Sequence, residues 1–407
     1  MENQILELEG GLRIVYSHAQ SNVIHAGLMV GVGSSDDGGF SGMAHFVEHM
    51  WFKGTASRVA RQIIDDIENV GGDFNAYTSK EETCVHISVL KESFKVALDV
   101  LSDVFYNSIF PADEVEKERE VVCDEIDSYD DSPSELIFDE FEELLFKDSS
   151  LSMPILGTKK SLRKINTMRI KAFYEKKYLN SKAVLSFVGD IPFNEFIATV
   201  QEYFICRKVL PLTDPKASFD QKSFTPFNVS KKKSTSQCHC ILGCKAFSWY
   251  EKERFPLTIL NNILGGPQFS SILNYSLREM NGLTYTVESN YTPYSNSGSF
   301  LIYFGTELKK VDTCYGIIKQ ELSSICNSSS LDNKIDIYKK QILGQLALSY
   351  DNNLNVMISQ AKSVLVYDVV ESFDDVVKKI ERIDATTLKD VANQILDFDN
   401  MSFLKYS

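Results

Sequence analysis

Residues 23–54 read VIHAGLMVGVGSSDDGGFSGMAHFVEHMWFKG, and the order of features in that stretch sets the architecture. Val23 to Gly33 is an almost unbroken apolar run that ends in a Gly-rich turn, the pattern of a buried strand. Met43 to Lys53 then reads as a helix, with Ser41 or Gly42 as its N-cap and Gly54 at the left-handed position beyond its end. On that helix His45 and His49 stand one turn apart on one face, so both imidazoles reach a single ion. Glu48 shares the face, three residues after His45. It is too close to His49 to ligate with ease, but well placed to take a proton from a water molecule on the ion.

Working outward, Arg61 to Val70 has helical spacing and stops at Gly71-Gly72, while Asp73 to Val89 alternates and reads as strands. Phe94 to Tyr106 is an amphipathic helix. A further long helix starts at Pro111, with Val115, Val121, Val122 and Ile126 as its apolar stripe. Between 207 and 232 prolines sit among Ser, Thr, Asp and Lys, the texture of a linker. Past it, a strand from Cys238 to Leu242 precedes a helix from Phe255 to Leu264 that is closed by Gly265-Gly266. This repeats the order of residues 23–54 without the histidines. The expectation is an α+β fold of two similar domains, 1–210 and 233–407, joined by a linker at 211–232.

Composition narrows the function. The 407 residues include 42 Lys+Arg and 56 Asp+Glu, a formal charge of −14, which gives no general attraction to phosphate backbones and argues against nucleic acid as a partner. With 43% hydrophobic and 24% charged residues the chain is neither disordered nor a disulfide scaffold. Between Ala112 and Asp148 there are 16 Asp/Glu against 3 Lys/Arg, so this one stretch carries −13. It reads as a solvated helix face or as a metal site with a lining that favours basic substrates. No apolar run of about 18 residues is present, so no membrane span is expected. The first residues lack the basic and apolar regions of a secretory signal, and the eight cysteines show no framework spacing, which together predict a cytoplasmic protein with free thiols.

The strongest chemical signal is His45-Phe46-Val47-Glu48-His49, the inverted form H-x-x-E-H of the zincin signature. Two histidines need a third ligand from elsewhere to complete a catalytic zinc site. Glu118 and Glu125 lie two turns apart on one helix face, so one can ligate while the other orients a ligand, and spacing alone leaves open which does which. Cys238-His239-Cys240 with Cys244 is a weaker metal candidate. Strand alternation puts His239 on the opposite face from Cys238 and Cys240, so these read as core cysteines. Core or surface roles are expected for His18, His25 and His86, and Cys123 falls inside the acidic ligand block.

Together these stretches resemble the pitrilysin-type (M16) metallopeptidases, which include insulin-degrading enzyme and the β subunit of mitochondrial processing peptidase. The resemblance covers most of the chain. It rests on Gly33-Ser34-Ser35, the run Gly42 to Met50, Phe52-Lys53-Gly54-Thr55, Gly71-Gly72-Asp73-Phe74-Asn75-Ala76-Tyr77-Thr78 and the block from Glu118 to Glu125. It implies one zinc ion per chain held by His45, His49 and Glu125, with Glu118 as the supporting acid and Glu48 as general base. It also implies that Asn75 and Ala76 lie on an exposed strand edge that takes substrate as an added strand, and that Arg278 and Tyr285 stabilise the oxyanion.

The length fits the short, two-domain subfamily of the processing-peptidase type. In that subfamily two chains pair, as a homodimer or a heterodimer, around a closed chamber that admits peptides or unfolded polypeptide segments. Arg278 and Tyr285 would then act on the zinc of the partner chain. The rival expectation is a non-catalytic or accessory subunit, a role some relatives fill with eroded zinc motifs, whereas His45, Glu48, His49, Glu118 and Glu125 are all present here.

Overall fold

The computed structural model describes residues 3–204, 225–327 and 330–407. Strands are β1 (Asn3–Glu7), β2 (Arg13–His18), β3 (Val23–Val30), β4 (Asp73–Thr78), β5 (Thr83–Leu90), β6 (Ala183–Gly189), β7 (Asn228–Lys231), β8 (Cys238–Ala246), β9 (Thr284–Pro293), β10 (Gly298–Thr306) and β11 (Ser402–Tyr406). Helices are α1 (Met43–Met50), α2 (Ala60–Glu68), α3 (Phe94–Tyr106), α4 (Ala112–Asp130), α5 (Pro133–Leu145), α6 (Lys159–Leu162) and α7 (Thr167–Lys176). They continue with α8 (Phe193–Tyr203), α9 (Arg254–Gly265), α10 (Val311–Asn327), α11 (Ser330–Tyr350), α12 (Asn353–Tyr367), α13 (Phe373–Glu381) and α14 (Ala385–Ile395). The expected α+β class is what the structure shows: two mixed, mainly antiparallel sheets, each packed with helices.

The chain forms two compact units, and they are not separated by one cut. The first draws on Met1–Ser128, Asp148–Asp214 and Leu348–Glu371, the second on Tyr129–Lys147, Pro215–Ala347 and Ser372–Ser407. The expected boundaries are therefore amended by two segments, 129–147 and 348–371, each of which packs with the other half of the sequence. Residues 211–224 of the expected linker lie outside the described residues. Its end is strand rather than linker, because Asn228–Lys231 pairs in parallel with β11.

In the first unit the sheet runs β1-β2-β6-β3-β5-β4, with β2 and β6 parallel and the other neighbours antiparallel. β3 is buried along most of its length because both sheet faces are covered. One face packs on α1 and α3, and α3 spans Phe94–Tyr106 as its periodicity predicts, burying Phe94, Ala97, Leu98, Leu101, Val104 and Phe105. The other face takes α12, whose Ala361 and Val364 pack on Val15, Met29, Cys84 and Val184. The approach is close: a Cβ on Gly27 of β3 would meet Met357 Sδ at 2.7 Å. Polar contacts fix the register of α12, with the Ser17 hydroxyl donating to Gln360 Oε1 at 2.9 Å and Lys362 pairing with Glu82 at 2.7 Å.

The second unit repeats this order with one strand fewer, β7-β11-β8-β10-β9, again with one parallel pair, β7 and β11. β8 alternates as expected. Cys238, Cys240 and Cys244 are buried in the helix-covered core, while His239 meets the Tyr303 hydroxyl at 2.8 Å. The described cysteines form no disulfide. The face opposite the core takes α5, where Phe138 packs on Tyr303 at a ring separation of 5.1 Å. Glu142 of α5 accepts hydrogen bonds from the Tyr294 and Ser299 hydroxyls, each at 2.8 Å, and Glu140 pairs with Lys231 at 2.6 Å. Part of the acidic stretch is therefore structural. Among the described residues no helix is long and apolar enough to cross a membrane.

Candidate metal centre

α1 is short, and the chain holds it at both ends. Five of its eight residues, Met43, Ala44, Phe46, Val47 and Met50, are fully buried, which turns the polar face of the helix toward α4 and β4. Gly42 is its N-cap, in the left-handed region at φ 88°, and a Cβ there would also meet Leu156 O at 2.7 Å, so glycine is required. No cap comes from Ser41, whose hydroxyl is buried without a hydrogen-bond partner. The cap comes from Asp37, five residues upstream. Its carboxylate accepts from the backbone N–H of Gly42 at 2.6 Å and of Ala44 at 2.8 Å. Burial pushes the Asp37 carboxyl up to about 7 against those backbone donors.

The segment leaving α1 is anchored as firmly. Arg58 spans Asp66 at 2.8 Å, Asp99 at 2.6 Å and Asp103 at 2.8 Å, and Asp103 also accepts from the Thr55 and Ser57 hydroxyls. The Asp103 carboxyl, buried yet surrounded by these donors, is held below the usual carboxylate range.

On this frame the structure brings together four of the residues singled out from the sequence. Glu125 Oε2 lies 3.7 Å from His45 Nε2 and 3.6 Å from His49 Nε2. A tetrahedral zinc ion with ligands at about 2.0–2.1 Å sets its ligand atoms roughly 3.3–3.4 Å apart, so these three fit one ion with little adjustment. They form the one group of three or more metal-ligating side chains close enough to share an ion among the described residues. Glu118 stands behind this group. It is 4% exposed and its Oε2 accepts from His49 Nδ1 at 2.9 Å, which leaves His49 Nε2 on the side of Glu125 and available to a metal ion. The other Glu118 oxygen is paired with Lys53.

The electrostatics suit a cation. Burial, with His49 beside it, drives His45 down to about 3, so it is the neutral, ligating form at neutral pH. His45 Nδ1 is buried without a hydrogen-bond partner, and Nε2 faces Glu125. Burial opposes charge on His49, but the Glu118 hydrogen bond and the carboxylates of Glu48, Glu118 and Glu125 outweigh it, and its net direction is up. Protonation of His49 and binding of a metal ion therefore oppose each other. Burial raises Glu118, and the hydrogen bonds from His49 and Lys53 more than reverse this, keeping it ionised.

Glu48 stands on the same helix face. Burial raises its pKa against the opposing hydrogen bond from Thr78, whose hydroxyl donates to Glu48 Oε2 at 2.6 Å. Asn75 and Ala76 lie on β4, the last strand in its sheet, with Asn75 exposed. In the second unit Arg278, on a π-helical turn at Asn274–Glu279, and Tyr285, on β9, come together. The guanidinium sits 5.4 Å over the Tyr285 ring and 5.3 Å over Phe269, and Tyr285 is 81% exposed.

Known proteins resemble this chain along most of its length. Residues 13–159 match the family model described as Insulinase (Peptidase family M16), and residues 164–342 match the one described as Peptidase M16 inactive domain. An uncharacterized zinc protease of Bacillus subtilis is 30% identical over 393 residues, covering 96% of this chain and 95% of that protein. The chain belongs to peptidase family M16. Another family relative, an uncharacterized zinc protease of Rickettsia bellii, is 31% identical over 394 residues, spanning 96% of this chain and 94% of its own. The M16 fold extends to the whole chain. A solved protease from Helicobacter pylori superposes with a TM-score of 0.89 at 19% identity, covering 100% of this chain and 99% of its own. A structure described as a peptidase M16 inactive domain from Pseudomonas fluorescens gives a TM-score of 0.87 at 20% identity, covering 100% of this chain and 98% of its own.

Three residues of this site were not singled out in the sequence. Asp37 caps the helix from a turn, Lys53 pairs with Glu118, and Thr78 holds Glu48. Lys53 and Thr78 fall inside the motif runs that carry the family resemblance, which was the signal available for them.

Proposed function

We propose that this chain is a zinc-dependent endopeptidase that cleaves peptides or unfolded polypeptide segments. The observation that carries the reading is the convergence of His45, His49 and Glu125 within 3.6–3.7 Å contacts, with Glu48 on the same helix face. His45, His49 and Glu125 would hold one zinc ion, which when bound supplies a Lewis acid and a water of lowered pKa. Glu118, steadied by Lys53, fixes the tautomer of His49. Glu48 takes the proton of the water that attacks the scissile carbonyl and returns it to the departing amine, so no covalent intermediate on the protein is needed. The free edge of β4 at Asn75 and Ala76 seats the substrate backbone as an added strand.

Arg278 and Tyr285 supply a cation and a phenol for the developing oxyanion, acting in this reading on the site of a second copy of the chain. The assembly proposed is accordingly a homodimer around a closed chamber, in the cytoplasm, with basic peptides favoured by the acid of α4. A heterodimer is the variant that native mass would reveal.

Elemental analysis and turnover of a mixed quenched-peptide library, on the parent and on Glu48→Gln, test the reading together. Zinc in both with turnover only in the parent supports it. Zinc in both with turnover in neither moves the reading to an accessory subunit that needs a partner chain. Neither zinc nor turnover moves it to a non-catalytic structural role.

A further inference from the structure

A carboxylate acting as a base must present one particular oxygen to the water, and Glu48 has two. The terminal torsion of a glutamate lies in a broad, shallow well, so the side chain alone does not select between them. Thr78 does. Its hydroxyl donates to Glu48 Oε2 at 2.6 Å, and a hydroxyl has only that one proton to give.

The donor is itself fixed. Thr78 ends strand β4 in register with Thr83 of β5, and the hairpin beyond it closes through Ser79 N–H donating to Glu82 O at 2.8 Å. Ser34 N–H donates to Ser79 O at 3.0 Å, tying the same turn to the segment that leads into α1. A second, buried route joins strand and helix. The Thr83 hydroxyl donates to Val32 O at 2.7 Å and lies 3.0 Å from the Tyr178 hydroxyl, which donates to Ala44 O of α1 at 3.3 Å. The end of β4 and the helix that carries Glu48 thus hold one geometry.

We propose that Thr78 is a positioning residue for the general base, holding Glu48 by Oε2 so that Oε1 receives the proton of the attacking water. The inference rests on the peptidase reading above and adds to it a link between substrate and base. The strand whose edge seats the substrate at Asn75 and Ala76 is the strand whose last residue aims Glu48.

Thr78→Val removes the hydroxyl while keeping a β-branched shape in the strand. Its kcat is expected to fall about tenfold, the loss expected for a hydrogen bond to a charged group, with KM within about twofold of the parent. Thr78→Ser restores most of the rate. Two readouts do not involve turnover: zinc affinity by chelator competition, and anisotropy of a fluorescent, uncleaved peptide, both expected to match the parent in Thr78→Val.

The proposal is overturned by an unchanged kcat in Thr78→Val, or by a Thr78→Ser that fails to recover the rate. Lowered zinc affinity or a lowered melting temperature in Thr78→Val also overturns it, by showing a purely structural role. A parent with no turnover overturns the peptidase reading and this one together, whereas an active parent with an equally active Thr78→Val overturns only this one.

Discussion

The two units share a sheet order and differ in the helix that comes after the equivalent strand. In the first, β3 leads into α1, which carries His45, Glu48 and His49 on its polar face. In the second, β8 leads into α9, where Leu257, Ile259, Leu260, Ile263 and Leu264 are buried and no histidine occurs. The exposed edge strands differ too: β4 ends at Thr78 beneath Glu48, while β9 carries the exposed Tyr285 beside Arg278. One scaffold thus supports two surfaces of opposite character, an acidic and imidazole-rich one and a cationic, aromatic one. The sheet supplies position, and a few side chains on one helix face and one edge strand supply the chemistry.

The comparison can be broken most completely by making α1 resemble α9. His49→Ala is expected to abolish zinc binding and to lower turnover by at least about a thousandfold, while circular dichroism stays that of the parent. A variant that keeps stoichiometric zinc would show that the ligands lie elsewhere. Next in size, Glu118→Gln keeps the shape of the buried acid but weakens its hold on His49 and its pairing with Lys53. Zinc affinity by competition is expected to drop roughly 10–100-fold.

The third change falls in the second unit. Glu142→Ala strips the acceptor from the Tyr294 and Ser299 hydroxyls beneath α5, and chemical denaturation should show a loss of about 2 kcal/mol with zinc content unchanged. A fall in zinc content would mean that the metal centre depends on the seating of α5.

The smallest effect is one of pH. Asp103 has its carboxyl held below the usual range in the folded protein, so its stabilising contribution is full above the unfolded value near 4 and is lost as pH falls through the depressed one. The stability advantage of the parent over Asp103→Asn is therefore expected at pH 6 and to shrink toward pH 3, measured by thermal unfolding. A difference independent of pH would mean that Asp103 acts through packing rather than charge.

Much of this was legible in the sequence because it is local. Helical period three to four placed α1 and α3 closely and set His45 beside His49. Alternation predicted β4, β5 and the opposed faces of Cys240 and His239. What the sequence did not yield is long-range. Gly42 is the N-cap residue, one of the two its position offered, but the side chain that satisfies the helix N-terminus is that of Asp37, reaching over a turn whose path no periodicity encodes. Residues 228–231 read as linker because a short, polar strand pairing in parallel with the last strand of the chain has no local signature. The acidic stretch read as a solvated face or as a metal site with its lining, whereas Glu140 and Glu142 of α5 have partners about 90–160 residues away in sequence.

The crossing of α5 and α12 has a consequence for how the molecule is made. A ribosome that has released the whole first sheet, through β6, has not yet released α12, so one face of that sheet stays bare until residues 353–367 emerge. The early half of the chain meanwhile carries α5, an amphipathic helix whose sheet has not been synthesised. Neither half is a self-sufficient module. A gene split within 211–224 is expected to give two fragments that are insoluble when expressed separately and soluble when expressed together. Recombination that exchanges whole domains between relatives would have to exchange these two helices as well.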